Sequence, residues 1–456
     1  MNGSKKISNS SYDKYLNSLG KQYEEYPYPE RNPMDEKKRL LPTIGDMLGH
    51  INHYCFEGKR DFSKGFRVLV AGGGTGDALI FLAEQLRDAD AVIVYLDFSQ
   101  ASMAVAKERA QVRQLTNIQW ELGSLLDLNP LKNGYFDYIN CSGVLHHLEK
   151  PSQGLAALNS VLKEDGVMLI MLYAEYGRTA IYQMQDLMRM VNKGESDMGV
   201  KMKNCKTIIN ALPESHWINI STKTGQKYQS LNEIELYDLF LIGTDCAYTI
   251  PQLYKFIEKE GLMISKLFSH MPQYGNRLYK PETYIHDVSL QDEVSYYDLR
   301  EKQAIAELMN GKILMHTFYV KKQEGKVPVA DLEHLNYIPY LSPLFNRQAY
   351  AGLYQVIINS DADVKLNAAM NIKVRFSKTP HMEQMFKYLD GEKTLKNIFD
   401  KVMKSVSGRK SGATYNSLLI EFNVFYSELE NHYLMMLRDS SVHYPKSLDE
   451  MQMSLV

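Results

Sequence analysis

From about residue 66 the chain alternates short apolar runs with amphipathic stretches. "RVLVA" (67–71), "AVIVYLD" (91–97), "IQWEL" (118–122), "FDYINCS" (136–142) and "VMLIMLY" (167–173) read as strands. "DALIFLAEQLRD" and "SQASMAVAKERAQVRQL" (99–115) place apolar residues at helical spacing. "LEKPSQGLAALNSVLKEDG" (148–166) reads as a third helix, ended by Gly166 after a charged last turn. Strand–helix alternation of this kind builds an α/β fold, a parallel sheet covered on both faces.

After Tyr173 the pattern changes. Residues 176 to about 260 hold long helical runs and few strand signals, which predicts a helical insertion. "LMISKLF" (262–268) and "ILMHTFYVKK" (313–322) then read as two late strands, with a helix over 296–311 between them. "KKQEGKVPVA" (321–330) is a polar linker candidate. Residues 331–456 are expected to form a separate, mainly helical C-terminal domain, with a turn at Asp390-Gly391 and a capped helix from Thr394. Ahead of the sheet, residues 1–60 are polar and tyrosine-rich. The prolines of "YEEYPYPERNP" (23–33) make that stretch stiff and non-helical.

Composition narrows the class. The chain has 456 residues, of which 45% are hydrophobic and 23% charged, and its net charge is −2. No global basic field draws it to nucleic acid or anionic lipid. No stretch reaches the roughly 18 apolar residues of a membrane span. The N-terminus has no apolar core of a secretory signal. The four cysteines (Cys55, Cys141, Cys205, Cys246) form no CxxC pair, so no metal cluster is expected and a reducing, cytoplasmic setting is.

"VAGGGTGD" (70–77) carries the first chemistry. A glycine cluster between strand and helix lets backbone approach a ligand, and the helix start offers N–H groups to an anion. Gly72, Gly74 and Gly76 give G-x-G-x-G, not the G-x-G-x-x-G of a dinucleotide site. The shorter loop suits S-adenosylmethionine (SAM), flanked here by Ala71 and Asp77. Asp97 ends the second strand about 20 residues on, where a carboxylate accepts both hydroxyls of an adenosine ribose, with Phe98 beside it. A helix N-cap is the plainer role for Asp97. "ELGSLLDL" (121–128) puts Ser124 and Leu125 where an adenine would lie, although an ordinary turn explains them equally. "NCSGVLHHLEKP" (140–151) brings Ser142, Gly143, His146 and His147 to the carboxyl end of the fourth strand, on the same crevice.

Together these motifs resemble a class I SAM-dependent methyltransferase, which implies a Rossmann-like seven-stranded sheet. In that fold an antiparallel last strand lies at the edge, and "ILMHTFYVKK" would supply it. More of the chain is similar to a narrower group, the rickettsial lysine methyltransferases that act on an outer membrane protein, and to their bacterial relatives. That likeness rests on "YPYPERNP", "AEYGRTAIYQMQDLM" (174–188), "YDLFLIGTDCAYTIPQLYKFIEKEGL" (237–262) and "EKQAIAELMNGKILMHTFYV" (301–320). It implies SAM as cofactor with S-adenosylhomocysteine as product. It further implies a protein substrate, a homodimer supported by the insertion (176–260), and a C-terminal domain that holds substrate.

A lysine nucleophile must be neutral and favours aromatic walls. Tyr23, Tyr26, Tyr28, Tyr173 and Tyr176 are candidates for those walls, with His146 as a polar acceptor. Arg31 and Arg178 are candidates for the SAM carboxylate or an acidic substrate group. Val70 stands where many such loops carry an acid, which passes recognition of the SAM amino group to strand-end carbonyls or to the tyrosine segment. Competing expectations are a small-molecule methyltransferase acting on a lipid or quinone precursor, and a non-catalytic SAM-binding regulatory module.

Overall fold

The computed structural model describes residues 24–128, 134–222, 228–242, 245–269, 274–322, 329–343, 364–367, 372–374, 377–406, 413–443, 446 and 450–451. The central sheet contains β1 (Lys64–Ala71), β2 (Asp90–Asp97), β3 (Ile118–Leu122), β4 (Phe136–Ser142), β5 (Leu162–Ala174), β6 (Ala247–Tyr248), β7 (Leu262–Phe268) and β8 (Met315–Lys322). Its order is β3-β2-β1-β4-β5-β8-β7, with the two-residue β6 paired to the end of β5. All neighbours are parallel except β8, which runs antiparallel to both β5 and β7.

The period-2 alternation of the strands divides them between two helical layers. Leu69, Ala71, Ile139, Cys141, Met168 and Ile170 face the helices Pro151–Val161 and Ile250–Glu258. Phe66, Val68, Val70, Ile93 and Tyr138 face the helices Leu48–Cys55 and Asp77–Gln85. Val70 is therefore a core residue, packed in one cluster with Leu48, Ile51, Leu79 and Leu82. The carboxylate on that face comes from elsewhere: Asp46 accepts from Tyr138 Oη and from Asn140 Nδ2, both at 2.8 Å, and Asn140 is the register partner of Val70.

Three sequence expectations change. β8 lies between β5 and β7, and β7 takes the edge. Burial explains it: Phe318, Tyr319 and Val320 are wholly buried, whereas β7 is partly exposed at Met263, Ser265 and Lys266. The third helix ends at Val161, because Leu162 is already extended and pairs with Phe136. The C-terminal region adds two strand pairs to its helices, β9 (Tyr337–Leu341) with β12 (Met435–Asp439), and β10 (Val364–Asn367) with β11 (Ile372–Val374). Its helices Met382–Tyr388, Leu395–Val406 and Tyr415–Asn431 enclose a core of their own. Asn397 N donates to Thr394 Oγ1, and Gly391 takes the left-handed conformation of the preceding turn. Most of the linker candidate (323–328) lies outside the described residues.

The insertion consists of helices Thr179–Val191, Met198–Ala211, Trp217–Thr222 and Glu233–Leu236 around their own apolar cluster. The last of these passes directly into a π-helical turn, Tyr237–Leu241. Among the described residues no helix is long and apolar enough to cross a membrane.

Candidate active site

β1 delivers the chain at Ala71 into the glycine turn, and the helix Asp77–Gln85 leaves it. Gly72, Gly74 and Gly76 have φ of 70°, 51° and 98°, a region that side chains strain to enter. The loop is also pressed from outside. A Cβ on Gly73 would stand 2.3 Å from the Tyr95 ring, and one on Gly74 would stand 2.7 Å from the Tyr28 carbonyl oxygen. The Leu96 carbonyl accepts from Gly72 N at 2.7 Å, and Tyr95 Oη donates to the Gly74 carbonyl at 2.7 Å.

Asp97 locks this loop to the end of β2. Its Oδ2 accepts from Gly74 N and its Oδ1 from Ser99 N, both at 2.8 Å. Burial pushes the carboxyl up, and the N–H groups of Ser99, Gly74 and Phe98 oppose that. Three N–H donors leave part of the carboxylate's roughly four lone-pair sites open, which fits the hydroxyls of a ribose. The Phe98 ring beside it is 40% exposed. Ser124 Oγ accepts from Leu126 N at 3.2 Å, while Leu125 is buried in the core with Leu145 and Leu155. Ser142 and Gly143 close the turn after β4, where Gly143 has φ 78° and donates to the Met171 carbonyl at 3.2 Å.

Residues 24–36 cross this crevice as a strap. Glu24 accepts from Ala101 N at 3.1 Å and from Gln100 N, so it caps the helix Gln100–Val112. The Tyr26 ring stacks on Tyr237 of the insertion, with centroids 5.6 Å apart. The Tyr28 carbonyl accepts from Thr75 N at 3.3 Å, and Thr75 Oγ1 donates to the Pro29 carbonyl at 2.7 Å. Arg31 makes a two-pronged pair with Asp77 at 2.9 and 2.6 Å. Arg109 Nη1 reaches the same carboxylate at 2.7 Å. Burial pushes Asp77 up, but the two guanidiniums outweigh it and hold the carboxyl below its usual range. Arg31 and Asp77 are thus struts between strap and loop. Deeper in, Glu36 is 3% exposed and pairs with Arg109 and Arg113, themselves 1% and 0% exposed. Tyr23 lies outside the described residues.

A second cluster joins the ends of β4 and β5 to the insertion. The His146 ring stacks on Tyr173 with centroids 3.7 Å apart, and His147 meets His146 edge-on at 4.3 Å. His146 is 1% exposed, and neither of its ring nitrogens has a hydrogen-bond partner among the described residues. Burial, with His147 and Arg178 nearby, drives its pKa down and keeps the ring neutral. Arg178 lies 3.5 Å over the Tyr173 ring and pairs with Asp245 at 3.3 Å. Tyr173 is in hydrogen-bonding reach of Asp238, in the π-helical turn. Tyr28 feels the charges of Asp238 and Arg178, and its hydroxyl is pushed up to about 12, chiefly by burial. Tyr28, Tyr173 and His146 therefore share one cluster. Tyr176 stands apart on the turn after β5, half-exposed and nearer Glu307 and Glu175.

Asp238, Asp245, Glu24 and Glu36 escape sequence reasoning. The one hint is a pair of acids, Asp238 and Asp245, inside the apolar run "LYDLFLIGTDC". Among the described residues no set of side chains could hold a metal ion.

The strand order, the glycine loop and Asp97 are those of the class I SAM-dependent methyltransferase fold. Residues 69–168 match the family described as "Methyltransferase domain". The fold is similar to that of PKMT2 from Rickettsia typhi in complex with AdoHcy, with a TM-score of 0.55 and 15% identity, covering 91% of this chain and 76% of that one. In sequence the chain is 27% identical to an uncharacterised protein from Synechococcus sp. over 76% of its own length and 81% of the relative's. It is 22% identical to the ubiquinone biosynthesis O-methyltransferase of Acinetobacter baylyi over 37% of its own length and 78% of the relative's. SAM is the cofactor. The remaining acceptor capacity of Asp97 fits its ribose, whereas the N–H groups of Gly72 to Gly76 are all taken within the protein.

Proposed function

We propose that the enzyme methylates lysine side chains of a protein substrate. The observation that carries this reading is the buried pair Tyr173 and His146, with the half-exposed Tyr28 at its rim and Asp238 and Asp245 behind it. Aromatic faces and a carboxylate suit a nitrogen that carries positive charge, whereas a phenolic oxygen needs neither. The likeness to PKMT2 adds support because it extends over the insertion and the C-terminal region. The likeness to the ubiquinone enzyme covers only 37% of the chain.

SAM, when bound, supplies the methyl group, and its sulfur keeps the electron pair of the broken bond. The chain's own residues position and desolvate. Neutralising lysine at pH 7 costs about 4–5 kcal/mol from a reference pKa of ~10.4, and burial among tyrosines lowers that demand. The strap excludes water on one side and the insertion on the other. His146, neutral and without a hydrogen-bond partner among the described residues, is the group available to accept a hydrogen bond from the attacking amine.

Two further assignments belong to this reading. The insertion pairs two copies through Met190, Val191 and Trp217, which are 76%, 48% and 57% exposed. The C-terminal region holds the protein substrate. The enzyme works in the cytoplasm, and an outer membrane protein on its way to export is the substrate class the narrower resemblance suggests.

The test is a lysate incubated with the enzyme and methyl-labelled SAM, then digested for mass spectrometry. Label on lysine Nζ in peptides is the expected result. Label confined to the small-molecule fraction would refute it and favour a small-molecule O-methyltransferase. Light scattering should give a dimer mass, and a monomer would remove the pairing role.

A further inference from the structure

Charge does not balance in the cluster behind Tyr173. Asp238 is 7% exposed, and the side chain of Asp245 is 1% exposed. One guanidinium, Arg178, serves both. Among the described residues, two carboxylates against one guanidinium leave one negative charge in a buried place walled by Tyr173 and His146. Arg31, the other guanidinium near Tyr28, is committed to Asp77. A buried charge without a partner is expensive, so such an excess persists where a partner arrives. A second, independent sign of a missing ligand is His146, 99% buried and stacked on the ring that reaches Asp238, with both ring nitrogens unpartnered among the described residues. The backbone agrees: Asp238 sits in a π-helical turn, a distortion frequent at functional sites.

We propose that Asp238 is the cation-binding residue of the active site, and that it holds the positive charge arising on the substrate amine. The identity of the cation rests on the lysine reading above, whereas the existence of a cation site does not. The balance is simple. The substrate ammonium first gives one proton to solvent. Its lone pair then forms the N–C bond while the C–S bond breaks toward sulfur. The charge leaves sulfur and appears on nitrogen, against the Asp238 carboxylate. No oxidant or further reactant is needed.

The groups around Asp238 set its working range. Burial pushes its carboxyl up to about 6, Asp245 adds to that, and Arg178 and Tyr173 oppose it. Tyr28 and Glu235 lie on the strap side and beside the turn. Cation binding should therefore weaken as pH falls through about 6, when Asp238 takes up its proton.

The test uses the full-length protein saturated with AdoHcy and titrated with butylammonium chloride, a lysine side-chain mimic, against 1-butanol and sodium chloride. Wild type should bind butylammonium and not butanol. Asp238→Asn should weaken that binding about tenfold to a hundredfold, as expected for a charge-assisted contact, and Asp238→Glu should recover part of it. Far-UV circular dichroism confirms that each variant is folded. Unchanged butylammonium affinity in Asp238→Asn overturns the proposal. So does a loss of SAM or AdoHcy affinity in its place, which would assign the charge to the cofactor. Butylammonium binding without labelled lysine in any protein would sink the lysine reading and leave the cation site standing.

Discussion

Removing the Asp97 carboxylate tests the cofactor site most directly. Asp97→Ala takes away an acceptor for two ribose hydroxyls, and with it the ties to Gly74 N and Ser99 N at 2.8 Å. A hydrogen bond to a charged group contributes about 1.5–3 kcal/mol. Water replaces part of that in the variant, so we expect a loss of about 3 kcal/mol, roughly 150-fold in Kd. Asp97→Asn should not rescue it, because turning either amide end toward Gly74 N and Ser99 N sets one donor against another. Isothermal titration with SAM and with AdoHcy is the assay. Both ligands carry the same ribose, so both should weaken equally. An affinity within threefold of wild type, or a loss confined to SAM, would refute the assignment.

Glu36→Ala should cost about 3 kcal/mol in urea denaturation, the low end for breaking a buried pair, because Arg109 keeps Asp77 and Arg113 keeps Glu84. A cost below about 1 kcal/mol would show the network idle. Deleting residues 1–34 removes the contacts of Glu24, Tyr28 and Arg31, and should raise the SAM Kd at least about tenfold, the loss of one charge-assisted contact or more. An unchanged Kd would leave the apolar residue at position 70 without a functional counterpart. Asp46 is pushed up by burial to about 6, so the folded protein keeps that proton where the unfolded chain has lost it. Its contribution to stability is full below about pH 4 and is lost as pH rises through 6. Asp46→Asn should gain up to about 3 kcal/mol on wild type across that window, as two pKa units imply. Parallel stability–pH curves for the two proteins would contradict it.

The strands and the cofactor loop were legible because their signals are local. β-branched runs, three glycines and one acid at a fixed spacing need no knowledge of the rest of the chain. Pairings between distant segments left no such trace. Glu36 meets Arg113 across 77 residues, and Arg31 meets Asp77 across 46. Arg31 looked like a ligand for an anion, and the anion it meets is inside the protein. The place of β8 was misread for a related reason. Its apolar run fits an interior or an edge strand equally well, and only its burial between β5 and β7 distinguishes them. The surplus charge at Asp238 needed three dimensions, since Arg178 and Asp245 come from opposite ends of the insertion.

Glu430, near the end of the C-terminal helix Tyr415–Asn431, ties together parts of the chain that are far apart in sequence. It accepts from Tyr54 Oη at 2.7 Å, from Lys266 Nζ at 3.4 Å and from Asn276 Nδ2 at 2.9 Å. Alongside it, Tyr433 Oη accepts from Ser269 N at 2.9 Å, and the Gly58 carbonyl accepts from Asp439 N at 2.8 Å. Melting the C-terminal region would strip partners from β7 and from the first helix at once. The C-terminal region and the methyltransferase sheet should therefore lose structure in a single calorimetric transition, as one cooperative unit. Residues 61–322 expressed alone would then be a fragment with an open wound, not a minimal enzyme.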